Sequence, residues 1–538
     1  MHFFTPRNLF AVYLLLLLSI RLSAQLNNGL PSTDHPDQEQ FRNNQYRIHA
    51  VVQSLPGARY DTLFYPYVTK SMMPDAPSPF RPRHERYLFA NAYNNGSRSQ
   101  KTGGSSAFLV LPIYQLQAGY DAGAGTPIYE SALGFRLAAD VNKKLGGELR
   151  AATGLSSVAD YIDSQIVKTR RMPGWGDYAF ADTNGVYSWQ HISGYVSWKP
   201  NAVFNLQAGR DKHFWGEGYR SLWLSDISGA MPYVQQSTKI WKLQYTTLLT
   251  ALSHPYGSDL RSNRTAYASF HAISFNAAHW LNLQVFESVV WQGTDNNRFR
   301  GFDINYLNPM VFYRPVEYSL GSSDNAMLGF GFGVRINSNN RFYGQLILDE
   351  FFLKEIRARN GWWANKQGLQ LGYKSFNLFK VAGLNLQGEV NIVRPYTYAH
   401  GSPQQSYTNG SLPLAHPLGA NFNEALGMLA YEKDRFYVSG KLLIAEYGQD
   451  SAGVNFGGNP LQSYTVRPRE YGNFIGQGIN TRLLLAEFKA GLKLKAAFPI
   501  QFELTAAIRR QTAGATSFNS AYLLAGLKFT PWRSYRDF

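Results

Sequence analysis

The densest run of chemically able side chains lies in Gly209-Arg210-Asp211-Lys212-His213-Phe214-Trp215-Gly216-Glu217-Gly218, directly after a strand-like segment. Such a mixture of charge and aromatics is not suited to facing lipid. It suits a lumen or rim site in which Arg210, Lys212 and Glu217 hydrogen-bond ligand hydroxyls or carboxylates while Trp215 offers a stacking face. It equally suits an ion-pair network that fixes a loop folded into a lumen, and the residues alone leave both roles open. Asp349-Glu350 is a second acidic pair. Adjacent strand residues point to opposite faces, so this pair does not flank a glycosidic bond as a hydrolase needs, and salt bridges to interior arginines are expected instead.

The signatures of common catalytic machinery are missing. H-E-x-x-H, G-x-x-x-x-G-K-[ST] and G-x-S-x-G do not occur, so no catalytic residue, metal or cofactor is expected. Gly329, Gly331 and Gly333 resemble a nucleotide loop only on the surface. Phe330 and Phe332 between them give strict alternation, the mark of a strand with one slim face.

The elements that must position these residues read as strands. Leu133, Phe135, Leu137, Ala139 and Val141 share one face against Arg136 and Asp140, and after Lys143-Lys144 the chain returns with Leu145, Leu149 and Ala151 against Glu148 and Arg150. The same two-sided hairpin recurs from Ile192 to Ala208 through Pro200-Asn201, from Leu328 to Leu348 through Asn339-Asn340, from Leu426 to Ile444 through Asp434, and from Leu484 to Ile508 through Pro499. Tight polar turns alternate with longer connections such as Thr397 to Pro413. This asymmetry predicts an all-β fold, a transmembrane antiparallel β-barrel with short periplasmic turns and longer outer loops. The 34 tyrosines and 35 phenylalanines, many near strand ends, fit a membrane-interface girdle.

Targeting and composition agree. Arg7 followed by the apolar run Leu9 to Leu18 predicts an export signal over residues 1–24, too short to span a bilayer and interrupted by Arg21. Residues 25–85, rich in Gln, Asn, Asp and Arg and crowded with Pro74, Pro77, Pro79 and Pro82, predict an N-terminal extension that hangs in the periplasm or plugs the barrel. Residues 86–538 form the expected barrel. With zero cysteines among 538 residues, stability must come from a hydrogen-bonded framework rather than disulfides. The net charge of +16, scattered along the chain, suits outer-membrane lipid and lipopolysaccharide or an anionic polysaccharide; nucleic acid is not an expected partner outside the cytoplasm.

Several short peptides then assemble into a pattern. Gly209-Arg210 to Trp215-Gly216, Ser221 to Ser225, Asn308-Pro309, Phe312-Tyr313-Arg314-Pro315 with Glu317, and Ser323-Asp324-Asn325 resemble, in order and spacing, the Wzi-like capsule-assembly family of outer-membrane barrels. The stretches Leu348 to Phe351, Asn365 to Gly368, Arg394 to His400 and His416 to Asn421 are similar to its Bacteroidetes branch, which includes gliding-motility RemB-like proteins. The resemblance spans roughly residue 85 to the end of the chain. It implies a barrel of about 16–18 strands that holds capsular polysaccharide without chemistry. The family's helical periplasmic plug is not evident in residues 25–85. The motility branch implies instead a structural partner of motility or secretion proteins, and a solute channel is the remaining alternative. On the polysaccharide reading, Arg210, Lys212, Trp215, Glu217, Arg314 and Glu317 line the lumen or its outer mouth.

Overall fold

The computed structural model describes residues 106–538 apart from 142–143, 175–177, 202, 257–258, 296–297, 304–305, 307–323, 338, 351, 434, 452, 495–499 and 530–535. The expected export signal, the N-terminal extension and the first residues of the expected barrel domain lie outside the described residues.

Eighteen antiparallel strands follow one another around a closed sheet: β1 (Ser106–Asp121), β2 (Thr126–Val141), β3 (Leu145–Ser157), β4 (Tyr187–Trp198), β5 (Phe204–Asp211), β6 (Met231–Ile240), β7 (Leu243–Tyr256), β8 (Asp259–Asn276), β9 (Leu281–Gln292), β10 (Asn325–Arg335), β11 (Asn340–Leu348), β12 (Gln367–Ser375), β13 (Leu384–Val393), β14 (Phe422–Lys433), β15 (Phe436–Gln449), β16 (Ile479–Lys493), β17 (Ile500–Ala513) and β18 (Thr516–Phe529). Each pairs with its neighbours in sequence. β18 then pairs back to β1, from Tyr114 opposite Phe529 to Asp121 opposite Tyr522, and the sheet has no free edge. The short strand Ala179–Ala181 is an extra rung on β4. Closure matters because hydrocarbon offers backbone N–H and C=O groups no partner; only a sheet that satisfies itself can cross it. No described helix is long and apolar enough to cross a membrane.

The period of two sets the two faces as the sequence predicts. Leu133, Phe135, Leu137, Leu145 and Leu149 project outward and are exposed, while Arg136 and Glu148 on the alternate positions are buried in the lumen. There the Arg136 Nε and Nη2 lie 2.8 and 2.9 Å from the Glu148 carboxylate. Arg150 joins Glu148 to Asp211, the latter at 3.0 Å, so two cations and two carboxylates from β2, β3 and β5 offset one another across the inner face of β4. Ile192, Val196 and Trp198 on β4 are likewise exposed, with His191, Ser193 and Ser197 buried. This is the wall of an outer-membrane barrel, apolar toward lipid and polar toward the inside.

The two ends differ. At one, connections are short, such as Trp241 and Lys242 between β6 and β7, and carry exposed rings: Trp241 is 79% and Phe379 85% exposed. Rings in that position form an interfacial girdle. At the other end lie the long connections 158–186, 212–230, 293–324, 349–366, 394–421 and 450–478, the end that faces outward in such barrels. Among the described residues two of them carry α-helices, α1 (Asp160–Thr169) and α2 (Leu353–Ala358).

Candidate functional site: a filled lumen beneath an aromatic and basic mouth

Connection 212–230 does not leave the barrel. It doubles back as a hairpin inside the lumen, closed by the Trp215 N–H donating to the Leu224 carbonyl at 2.8 Å. Trp215, Leu222, Trp223 and Leu224 are fully buried. Trp223 stacks on Phe286 of β9 with centroids 5.1 Å apart and planes 4° from parallel, and Trp215 meets Phe270 and Phe286 edge-on at 6.2 and 6.1 Å. The slim face predicted for β10 accommodates this hairpin. A Cβ on Gly329 would lie 2.5 Å from Trp223 Nε1 and one on Gly331 2.7 Å from Trp223 Cη2, so any larger residue would displace the indole.

The hairpin tip carries Arg220, 2% exposed, into a cluster of carboxylates from two adjacent strands and the C-terminal segment. Its Nη2 lies 3.2 Å from Glu424 of β14 and its Nη1 3.3 Å from Asp537. Glu389 of β13 accepts the backbone N–H groups of Tyr219 and Arg220 at 2.8 and 3.1 Å and the Tyr343 hydroxyl at 2.8 Å. Lys441 of β15 adds a second cation, 2.8 Å from Asp537 and 3.1 Å from Glu487. His416, in connection 394–421, approaches Glu424 at 2.8 Å. Burial would raise the Asp537 carboxyl, but Arg220 and Lys441 outweigh it and hold that group far below the ordinary carboxylate range. Arg536 pairs with Glu130 of β2 at 2.6 Å, and Phe538 packs on Tyr161 of α1 with centroids 5.8 Å apart. Residues 536–538 thus occupy the lumen too.

Four of the sequence-predicted site residues fall on or beside this hairpin. Arg210 donates to the Ile192 carbonyl and Lys212 to the Gly174 carbonyl. Trp215 is part of the hairpin's buried core. Glu217 is held by Arg341 Nε and Nη2, the latter at 2.6 Å, and by Gln284 Nε2 at 3.1 Å. Arg314 and Glu317 lie outside the described residues. Beside this group, His213 is fully buried and set edge-on against Tyr233 at 4.3 Å. Among the described residues neither ring nitrogen has a hydrogen-bond partner, and burial lowers its pKa to about 4.

Sequence reading missed Arg220, Glu389, Glu424, Lys441 and Asp537. The one available signal was parity: Glu389 and Glu424 occupy the polar face of strands whose outer faces are apolar. Their convergence on one arginine depends on the hairpin's path. The acidic pair Asp349-Glu350 requires a correction. Both carboxylates bind Lys366, each 3.1 Å from its Nζ, rather than interior arginines. β11 ends at Leu348, so strict alternation no longer applies to the two residues beyond it. Burial raises Asp349 to about 6 despite Lys366 beside it.

At the outer end two connections pair with each other and form a bridge over the ends of β12 to β15. In 349–366 and 450–478, Trp363 N–H donates to the Glu470 carbonyl, Gly472 N–H to Asn360 and Asn473 N–H to Gly361, each at 2.9 Å. Beneath the bridge Trp363 packs on Tyr464 at 4.7 Å and on the buried Tyr396 at 6.1 Å. Lys366 Nζ lies 5.0 Å from the Tyr464 ring. Among the described residues no group of three potential metal ligands comes together.

No protein-family profile and no curated protein matches the sequence. Among solved structures the chain is similar to Wzi of Escherichia coli, an outer membrane protein involved in group 1 capsule assembly and described as a carbohydrate-binding β-barrel: TM-score 0.52 and 12% identity over 95% of this chain and 100% of that one. It is also similar to OprD of Pseudomonas aeruginosa, TM-score 0.41 and 9% identity over 78% of this chain and 94% of that one. A third is OccAB2 of Acinetobacter baumannii, TM-score 0.43 and 10% identity over 79% and 97%. At these identities the Wzi likeness shows the fold, a closed outer-membrane barrel, and the bacterial outer membrane is where such a wall belongs.

Proposed function

We propose that this chain is a non-enzymatic outer-membrane barrel of Wzi-like type that binds or organises surface polysaccharide, capsular polysaccharide being the intended class. The observation that carries the reading is the filled lumen. A hairpin with a fully buried aromatic core, pinned at its tip by Arg220 among Glu389, Glu424 and Asp537, turns the barrel from a conduit into a rigid support for its outer mouth. The similarity in fold to a barrel named as carbohydrate-binding points the same way. On this reading Trp215 and Glu217 serve binding by fixing the hairpin under the mouth, Arg210 and Lys212 brace the wall and the connection beside it through Ile192 and Gly174, and Arg314 and Glu317 belong to the ligand-facing set.

The test compares cells lacking the gene with cells carrying it, measuring cell-bound against shed polysaccharide, alongside binding of the purified barrel to that polysaccharide. Retention that depends on the protein, with direct binding, is the expected result. Unchanged retention with no binding would refute it. The Bacteroidetes branch implied by the sequence resemblance carries the second role, a structural partner in motility or secretion; a stable protein complex pulled from detergent extracts without glycan affinity would favour it.

A further inference from the structure

We infer that the paired connections over the mouth form a subsite for a carboxylate-bearing polysaccharide, with Phe474 and Tyr471 as stacking faces and Arg469 as the carboxylate clamp. The inference rests on the polysaccharide reading above and specifies its chemistry and place. The bridge is rigid: three backbone hydrogen bonds of 2.9 Å tie residues 360–363 to 470–473. Gly361, at φ +69°, permits the approach, since a Cβ there would lie 2.7 Å from the Asn473 nitrogen.

On this support Tyr471 and Phe474 are 52% and 57% exposed, large rings that the fold leaves uncovered. They stand at the outer end, away from the short-turn girdle. The Arg469 guanidinium lies 5.5 Å from the Phe474 ring centre and is held by the neutral Gln477 amide oxygen at 3.0 Å. Among the described residues no carboxylate pairs with Arg469. Close by, Arg467 lies 4.0 Å over Trp363, donates to the Tyr464 carbonyl at 3.0 Å and pairs with Glu470, so its charge is already answered.

An exposed ring with an uncompensated guanidinium beside it matches one kind of sugar. The C–H face of a pyranose lies on the ring, and a carboxylate on that sugar takes two parallel N–H donors from the planar guanidinium. A neutral sugar would stack but leave the guanidinium unanswered. Phosphates at lipid headgroups lie at the level of the bilayer surface beside the wall, whereas Arg469 sits on connection 450–478, beyond the strand ends and paired with connection 349–366. A uronate-containing chain is therefore the occupant.

The experiment uses the intact barrel in detergent, immobilised, with three probes: alginate as a polyuronate, dextran as a neutral chain, and phosphate-bearing lipopolysaccharide. Arg469→Gln and Phe474→Ala alter exposed side chains. Tenfold or weaker alginate binding in each variant is expected, with Arg469→Lys intermediate, dextran poor throughout and lipopolysaccharide binding unmoved by the variants. Alginate bound equally by wild type and the double variant overturns the inference, as does absence of alginate binding, or variants that lose lipopolysaccharide instead. If the cell's own polysaccharide still binds while the variants have no effect, this subsite falls and the polysaccharide reading stands; if no polysaccharide binds, both fall.

Discussion

Arg220 illustrates how a buried charge is made tolerable: the desolvation that penalises it is offset by two carboxylates at 3.2 and 3.3 Å. Replacing it with Met leaves Glu424 and Asp537 buried with weakened compensation. Loss of one partner from such a set costs about 3–5 kcal/mol, so Arg220→Met should unfold at markedly lower temperature when followed by the shift in gel migration on heating. Lys366, fully buried between Asp349 and Glu350, predicts a similar fall for Lys366→Met, but with local effects at the mouth, read as faster proteolysis of residues 349–366. His213 predicts a pH dependence. Burial lowers its folded pKa to about 4, whereas the unfolded chain binds a proton near 6.5. Its contribution is thus complete above pH 6.5 and declines as pH falls toward 4, by about 2 kcal/mol at pH 5. His213→Gln should remove that share of the difference between pH 7 and pH 5 melting midpoints; an undiminished difference would assign it to other groups.

Among the elements, the inner hairpin and β10 are made for each other. The hairpin supplies Trp223, and β10 supplies Gly329 and Gly331 where the indole rests. Gly331→Val would place its branch against the ring, 2.7 Å from Cη2 even at Cβ, and overpacking of this kind costs about 1–3 kcal/mol. The expected outcome is a barrel that still assembles but whose connection 212–230 is cut by protease; equal resistance to wild type would show that the indole can move aside without cost. The glycine spacing on β10 was legible in the sequence as a slim face. What lay against it was not, because the tryptophan comes from a connection about 100 residues earlier and no local pattern marks its direction.

For the whole molecule, closure and filling have separate consequences. Closure through β1 and β18 predicts a chain that needs detergent or lipid to stay folded and dispersed, fractionates with the outer membrane, and migrates differently before and after heating. Filling predicts that the barrel, reconstituted in planar bilayers, shows no steady conductance, and that Arg220→Met or Gly331→Val raises it by releasing the hairpin. A wild-type conductance typical of open porins would remove the physical basis for treating the barrel as a support and favour the solute-channel alternative.

The sequence by itself determined the class of fold and the faces of the strands. Alternation such as Leu133, Phe135 and Leu137 against Arg136 is a local property, fixed by the pleat and by the need of each side chain for oil or water. It also picked out the Gly209–Gly218 segment as a concentration of charge and aromatics, with a ligand-binding role and a scaffold role both open. Tertiary structure decided everything that depends on closure: which inward positions face each other across the lumen, and where a connection goes once it leaves its strand. Glu389 and Glu424 lie on the adjacent strands β13 and β14, but they share Arg220 with Asp537 only because connection 212–230 and residues 536–538 reach them through the lumen. Contacts through the lumen leave no period in the sequence.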